Sequence, residues 1–268
     1  RDMGEFQNDR VQVFPKFNIT IHGLDGSGCT PALREELKRN RYMPPEEWTH
    51  YLALDPGHTQ PAVAFASVPP SRFGDHVVIW GEVYTPYSGA KETAREVKRK
   101  VGTLQFEDFI IDMQAGRQTG MGMVGGATVE TLYREAFRDE GLISRNHGPA
   151  FVPGTKDIAM RNMIVNEWLE CRANGTTKLI LVEDATPNMQ KEFKSYKKRV
   201  TRSDVTDVPI GRKDHLMGCL GYIASHNPSY NAEKGDEVRR ARHDSLLRLL
   251  GLKKDDRASF AFGPGAPV

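Results

Sequence analysis

From position 50 onward, apolar and polar residues follow two rhythms. Tyr51-Leu-Ala-Leu-Asp55 is a short apolar run ending in an acid, and Pro56-Gly57 turns it. Ala62 to Val68 is a second run, and Pro69 to Gly74 is a loop. In a third run, His76 to Tyr84, Val77, Ile79, Gly81 and Val83 alternate with His76, Val78, Trp80 and Glu82. Period-two runs joined by short turns predict an antiparallel three-strand meander. The rhythm then becomes helix and strand in turn. Lys91 to Val101 reads as a charged helix, and Phe109-Ile-Ile-Asp112 as a buried strand ending in an acid. Thr128 to Glu140 places Val129, Leu132, Tyr133, Ala136 and Phe137 on one helical face, and Gly141 stops it. Ala150 to Val152 and Lys178 to Val182 read as strands. Ile158 to Ala173, Pro187 to Val200 and Lys213 to His226 read as helices.

Ahead of this region, Phe17 to Ile21 reads as a strand and Pro31 to Arg39 as a helix, with Pro at an early position that needs no N–H. Pro44-Pro45 then breaks the chain. Residues 1–48 are expected to be a linker or the remnant of a preceding domain, and 49–228 the main domain. Residues 229–268 are expected to hold a charged helix and a disordered tail. A meander followed by alternating helices and strands implies an α/β fold, a mixed sheet flanked by helices. Ligand chemistry in such sheets sits at strand carboxyl ends. Asp55 and Asp112 each end a strand, so they can meet there.

Composition adds limits. Of 268 residues, 38% are hydrophobic and 27% charged, with a net charge of only +2. That charge does not argue for a nucleic-acid partner, so any such argument must rest on local clusters. No apolar run nears the roughly 20 residues of a membrane helix, and Arg1 to Arg10, polar and charged, is not expected to act as a signal peptide. Cys29, Cys171 and Cys219 are odd in number and form no CxxC pair. A zinc knuckle and a disulfide framework are therefore not expected, and a reducing cytoplasm is the natural setting. Residues 191–202 hold six basic residues and one acid. Lys194, Lys197 and Lys198, followed by Arg199, would form a basic stripe on one helix face, able to grip DNA phosphates. After Asp112 comes a loop with Gln114, Arg117, Gly120, Gly122, Gly125 and Gly126. It is either a phosphate-approaching loop or simply a long connection. Gly23-x-x-x-x-Gly28-Cys29-Thr30 mimics a nucleotide-binding loop, but Cys29 stands where the phosphate-gripping Lys belongs, so ATP binding is not expected.

The chemistry lies in the acids. Two-metal phosphoryl transfer needs several carboxylates at one spot, because hard divalent ions want oxygen ligands. Two strand-end aspartates plus Asp214, near the start of the last core helix, can supply three. His215 beside it is a possible ligand or proton shuttle, or a packed neighbour. A single aspartate after a strand commonly just caps a turn.

Leu54-Asp55-Pro56-Gly57-His58, Ile111-Asp112 and Asp214-His215-Leu-Met-Gly-Cys-Leu-Gly-Tyr222, in this order, resemble the nuclease domain of tailed-phage large terminase subunits. Glu192-Phe-Lys-Ser-Tyr196 is similar to that family's Glu-x-x-x-Tyr segment. The resemblance covers about 50–227. It implies a ribonuclease H-like fold and a nuclease that cuts concatemeric double-stranded DNA during viral genome packaging. It also implies one or two Mg²⁺ or Mn²⁺ ions on Asp55, Asp112 and Asp214. The partners it implies are a portal protein, a small terminase subunit and an upstream ATPase domain, in the host cytoplasm with no membrane. The sequence departs from the family's Asp-His-x-x-Asp-Ala-x-Arg-Tyr: Gly218 replaces the second acid, Cys219 the Ala and Gly221 the Arg. The loss at 218 bears on whether two ions bind. Two other readings stay open. One is another ribonuclease H-like nuclease, such as a junction resolvase or recombinase. The other is a non-catalytic DNA clamp or docking module of a packaging motor.

Overall fold

The apolar runs from Thr49 onward build one mixed sheet. A computed structural model describes residues 11–57, 60–112, 128–143, 151–200, 205–210 and 214–249. After two short helices, α1 (Ile19–His22) and α2 (Pro31–Arg39), the strands β1 (Thr49–Asp55), β2 (Ala62–Val68) and β3 (Val77–Tyr84) form the antiparallel meander. β1 and β2 pair from Thr49 opposite Val68 to Asp55 opposite Ala62. β4 (Phe106–Ile111) runs parallel to β1, and the brief β5 (Val152–Pro153) runs parallel to β4. β6 (Leu179–Leu181) runs parallel to β3. The order is β5-β4-β1-β2-β3-β6, a ribonuclease H-like sheet.

Parallel neighbours need crossovers, and helices supply them. These are α3 (Ala90–Val101), α4 (Val129–Asp139) and α5 (Ile158–Trp168). Next come α6 (Pro187–Ser195), a hairpin of β7 (Lys198–Val200) and β8 (Val205–Pro209), α7 (His215–Ser225) and α8 (Ala232–Leu249). Among the described residues no helix is long and apolar enough to cross a membrane.

Alternation along the strands sorts side chains between two cores. Leu52, Leu54, Val63, Phe65, Val78 and Trp80 face α2, α3 and α4. Tyr51, Ala53, Ala62, Ala64, Ala66 and Ile79 face α5, α6 and α7. The alanines matter for function. Their small side chains let α7 lie close on the sheet, so that Leu216, Cys219, Leu220 and Ile223 are fully buried. The Cys219 thiol even donates to the Ala62 carbonyl at 3.4 Å. Helix α7 is buried nearly all round, as a core helix must be.

Some expectations change. The strand expected over Phe17 to Ile21 is instead α1. The Asn18 side chain accepts from Thr20 N at 3.0 Å, a local cap that outweighs the β-branched residues. The basic helix expected to reach Val200 stops at Ser195. Tyr196 turns extended, and its buried ring stacks on Phe14 at 5.6 Å. The chain after it pairs in the β7–β8 hairpin. The helix expected over Ile158 to Ala173 ends at Trp168. Phe14, Leu24, Leu33, Leu37 and Trp48, all before β1, are buried in the same two cores. Of the helix and tail expected over 229–268, the helix is α8, and residues 250–268 lie outside the described residues.

Candidate active site

Asp55 ends β1, and Asp112 follows β4 directly. The Asp112 N–H donates to the Leu54 carbonyl at 3.1 Å, so the two aspartates stand on neighbouring strand ends. Asp55 continues the odd-numbered positions that face α7. Asp112 continues the parity of Ile110, which faces the same side. Helix α7 begins over this edge of the sheet, with Asp214 as its N-cap residue rather than one turn inside it. His215 Nδ1 lies 3.0 Å from Asp55 Oδ2. A carboxylate can only accept, so Nδ1 carries a proton, and in the neutral ring Nε2 is the acceptor. The hydrogen bond to Asp55 raises the His215 pKa above its ordinary value, against the effect of burial. Asp55 Oδ1 accepts from Gly57 N at 3.1 Å, where Gly57 takes a positive φ. Burial raises the Asp214 carboxyl above the usual carboxylate range. The charge of Asp55 adds to this, and that of His215 opposes it.

An N-cap aspartate normally accepts from the N–H groups of its own helix. Asp214 does not. Glu192, from α6, does so in its place: its Oε2 accepts from Leu216 N at 2.8 Å and Met217 N at 3.0 Å. Helix α6 repeats the arrangement. Its own N-cap, Thr186, makes no side-chain capping bond. Glu82 of β3 instead accepts from Asn188 N at 2.7 Å and Met189 N at 2.9 Å. Both glutamates are buried, at 4% and 5% exposure. Burial pushes the Glu192 carboxyl up to about 7, although the two N–H groups favour its charge. The result is a rigid chain of caps from sheet to α6 to α7 that leaves the Asp214 carboxylate uncommitted to its helix.

Asp55 and Asp214 open on one cleft of about 180 Å³, walled also by Arg161, Tyr196, Gly218 and Tyr222. Asp112 is outside that lining, but its charge reaches Tyr222, whose hydroxyl pKa is raised first by burial and then partly by Asp112 and Asp55. Among the described residues no three His, Cys, Asp or Glu side chains stand as a ready metal-ligand set. The donor chemistry nonetheless suits a hard cation, with acid side chains on two strand ends and a helix start, two of them repelling across a cleft.

The basic residues are less concentrated than expected. Lys194 is in the last turn of α6, while Lys197 precedes and Lys198 and Arg199 occupy β7. The helix end at Ser195 thus splits the stripe between two elements. Arg117 and the glycines near it lie outside the described residues. Nothing in the sequence marks Arg161 or Glu82 as a cleft or supporting residue, and Glu192 is marked only by its place in the Glu-x-x-x-Tyr segment. In the Gly23–Thr30 loop, the N–H groups a phosphate would need are engaged. Leu24 N donates to the Leu181 carbonyl, Ser27 N to Thr20 and Gly28 N to Ile21, at 2.8–3.0 Å. Asp25 N donates to Glu183 Oε1 at 3.2 Å.

Gly218 faces the acids directly, since a Cβ built there would sit 3.6 Å from Asp55 Oδ2 and meet no clash. Gly218→Asp is therefore expected to add a further carboxylate to the cleft. Without metal it should lower Tm through like-charge repulsion. With Mn²⁺ it should gain more Tm than the unsubstituted chain does. A thermal-shift titration checks both signs, and equal Mn²⁺ shifts would show that position 218 does not reach the ion.

No protein-family model matches the chain, and no curated protein sequence matches it. Solved structures do. The large terminase nuclease domain of bacteriophage SPP1, with bound Mn, is 16% identical, covering 75% of this chain and 93% of that one at a TM-score of 0.45. The P22 large terminase nuclease domain is 12% identical, covering 72% and 89%, at 0.49. The human cytomegalovirus terminase nuclease domain, Mn soaked, is 15% identical, covering 75% and 95%, at 0.41. At such identities an activity must be argued from the side chains at the strand ends.

Proposed function

We propose that the chain is a metal-dependent DNA endonuclease, the nuclease part of a viral large terminase, cutting concatemeric double-stranded DNA during genome packaging. The observation that supports the reading is the cleft shared by Asp55 and Asp214, with Asp112 on the neighbouring strand end and Asp214 not capping its own helix. Mg²⁺ or Mn²⁺ held by these carboxylates would lower the pKa of the attacking water and neutralise charge on the phosphate. The remaining work falls to the chain's own residues. Asp55 fixes the His215 ring through Nδ1, which leaves Nε2 to take or return a proton beside the reacting phosphate. Lys194, Lys197, Lys198 and Arg199, with Arg117, hold the duplex through its phosphates. The partners in this reading are double-stranded DNA, a portal protein, a small terminase subunit and an upstream ATPase domain, in the cytoplasm of an infected host.

Purified chain is expected to nick and cut plasmid with Mn²⁺ or Mg²⁺, to stop in chelator, and to resume when Mn²⁺ is restored. Plain duplex should be cut at least as well as branched DNA or RNA–DNA hybrid. The reverse preference would favour a resolvase-like enzyme, and DNA binding with no cutting would favour a clamp. Lys197→Ala with Lys198→Ala should weaken binding to all sequences alike. It should also flatten log affinity against log salt by about 0.9 for each phosphate no longer neutralised. An unchanged slope would leave these lysines as a solvated surface.

A further inference from the structure

Arg161 sits one turn into α5, and only 9% of it is exposed. Its aliphatic stem lies across Gly221 of α7, where an added Cβ would come within 3.1 Å of both Arg161 Cβ and Cδ. Its guanidinium carbon stands 4.5 Å from the centre of the Tyr222 ring, so the ring face holds the fork in one plane. Arg161 also lines the cleft shared by Asp55 and Asp214. Nε and Nη1 are buried, and neither has a hydrogen-bond partner among the described residues. The charge of Arg161 is felt by Asp214, but no carboxylate bonds Nε or Nη1, and buried donors left open are costly unless a ligand satisfies them. A planar fork of N–H donors matches the oxygens of a phosphate. Gly221 explains how the fork gets there. In the motif that α7 resembles, this position carries an arginine. Its absence here leaves a gap in α7, and an arginine from the neighbouring helix fills it.

We propose that Arg161, delivered over Gly221 and braced on Tyr222, is a catalytic residue that donates to a non-bridging oxygen of the phosphodiester bound in the cleft. This rests on the nuclease reading above and names a side chain that carries charge from phosphorus. No bond to Arg161 forms or breaks; it stabilises the extra negative charge as water adds and the 3′ or 5′ oxygen leaves.

Arg161→Met keeps the stem over Gly221 and removes the fork. Arg161→Ala opens a space the size of a guanidinium ion. Both are expected to lower the Mn²⁺-dependent rate constant for plasmid cutting by about a hundredfold, with the Mn²⁺ and DNA concentrations for half-maximal rate little changed. Millimolar guanidinium should restore at least about a tenth of the lost rate to Arg161→Ala and none to Arg161→Met. Gly221→Arg should partly restore Arg161→Ala by returning the fork from α7. Cutting within about threefold of the unsubstituted chain would overturn the proposal. So would a deficit that neither guanidinium nor Gly221→Arg relieves, which would make Arg161 a packing residue. If the unsubstituted chain does not cut at all, the nuclease reading fails on its own, and inorganic phosphate then tests the arginine. A rise in Tm with phosphate that Arg161→Met abolishes supports an anion site, and equal shifts in both proteins overturn it.

Discussion

Replacing Asp214 with asparagine is expected to leave the protein folded and able to bind DNA, but to lower Mn²⁺-dependent plasmid cutting by at least about a hundredfold. Folding should survive because Asp214 makes no side-chain bond to the helix it starts. The N–H groups of Leu216 and Met217 are already held by Glu192. What is lost is a negative charge in a cleft shared with Asp55. The same loss is expected for Asp55→Asn and Asp112→Asn. Asp55→Asn should also unsettle His215, because an amide there no longer offers Nδ1–H a carboxylate. Plasmid assays beside circular dichroism and DNA binding separate these effects. Full activity in Asp214→Asn would show that the helix-start acid takes no part in the chemistry and would remove the three-carboxylate reading.

Glu192→Ala should also lower activity, by a different route. Two buried N–H groups lose their acceptor, at about 1–3 kcal/mol each if nothing replaces it. The nearest replacement is Asp214, whose N-cap position suits bonds to these same two groups. Recruited as a cap, Asp214 would leave the cleft. Cutting should therefore fall by at least about tenfold, with a Tm lower by several degrees. Glu192→Gln, which keeps an oxygen for the N–H groups, should recover most of both. The decisive measurement is a double-mutant cycle. If Glu192 acts by keeping Asp214 free, Asp214→Asn should cost much less activity in the Glu192→Ala background than alone. Additive losses would mean that the two residues act separately.

The sheet and two of its acids were legible because each strand is a short apolar run with a clear end. Leu54 and Ile111 are core residues, and the acid after each must leave the core at a strand terminus. The start of α7 was legible to within a residue or two. Asp214 turned out to be its N-cap because the usual capping bonds come from Glu192. What stayed hidden depends on packing between residues distant in sequence. Arg161 looks like a solvated charge on an amphipathic helix, and only its passage across Gly221 marks it as buried. Glu82 is one position in an alternating strand, and nothing near it in sequence names Asn188 and Met189 as its donors. The basic stripe broke for the same kind of reason, since the pull of Phe14 on Tyr196 cannot be read from residues 187–200 alone.

The two long-range caps have a consequence for how this protein can vary. Because α7 is anchored by a side chain of α6, the position of Asp214 is set by how two helices pack. Exposed positions of α6 such as Lys191 can therefore vary without moving the acid, so long as the packing of α6 on α7 is kept. The same logic places the fragile points elsewhere. Glu82 and Glu192 admit few replacements, and a change at either is felt at Asp214, well away from the substituted residue.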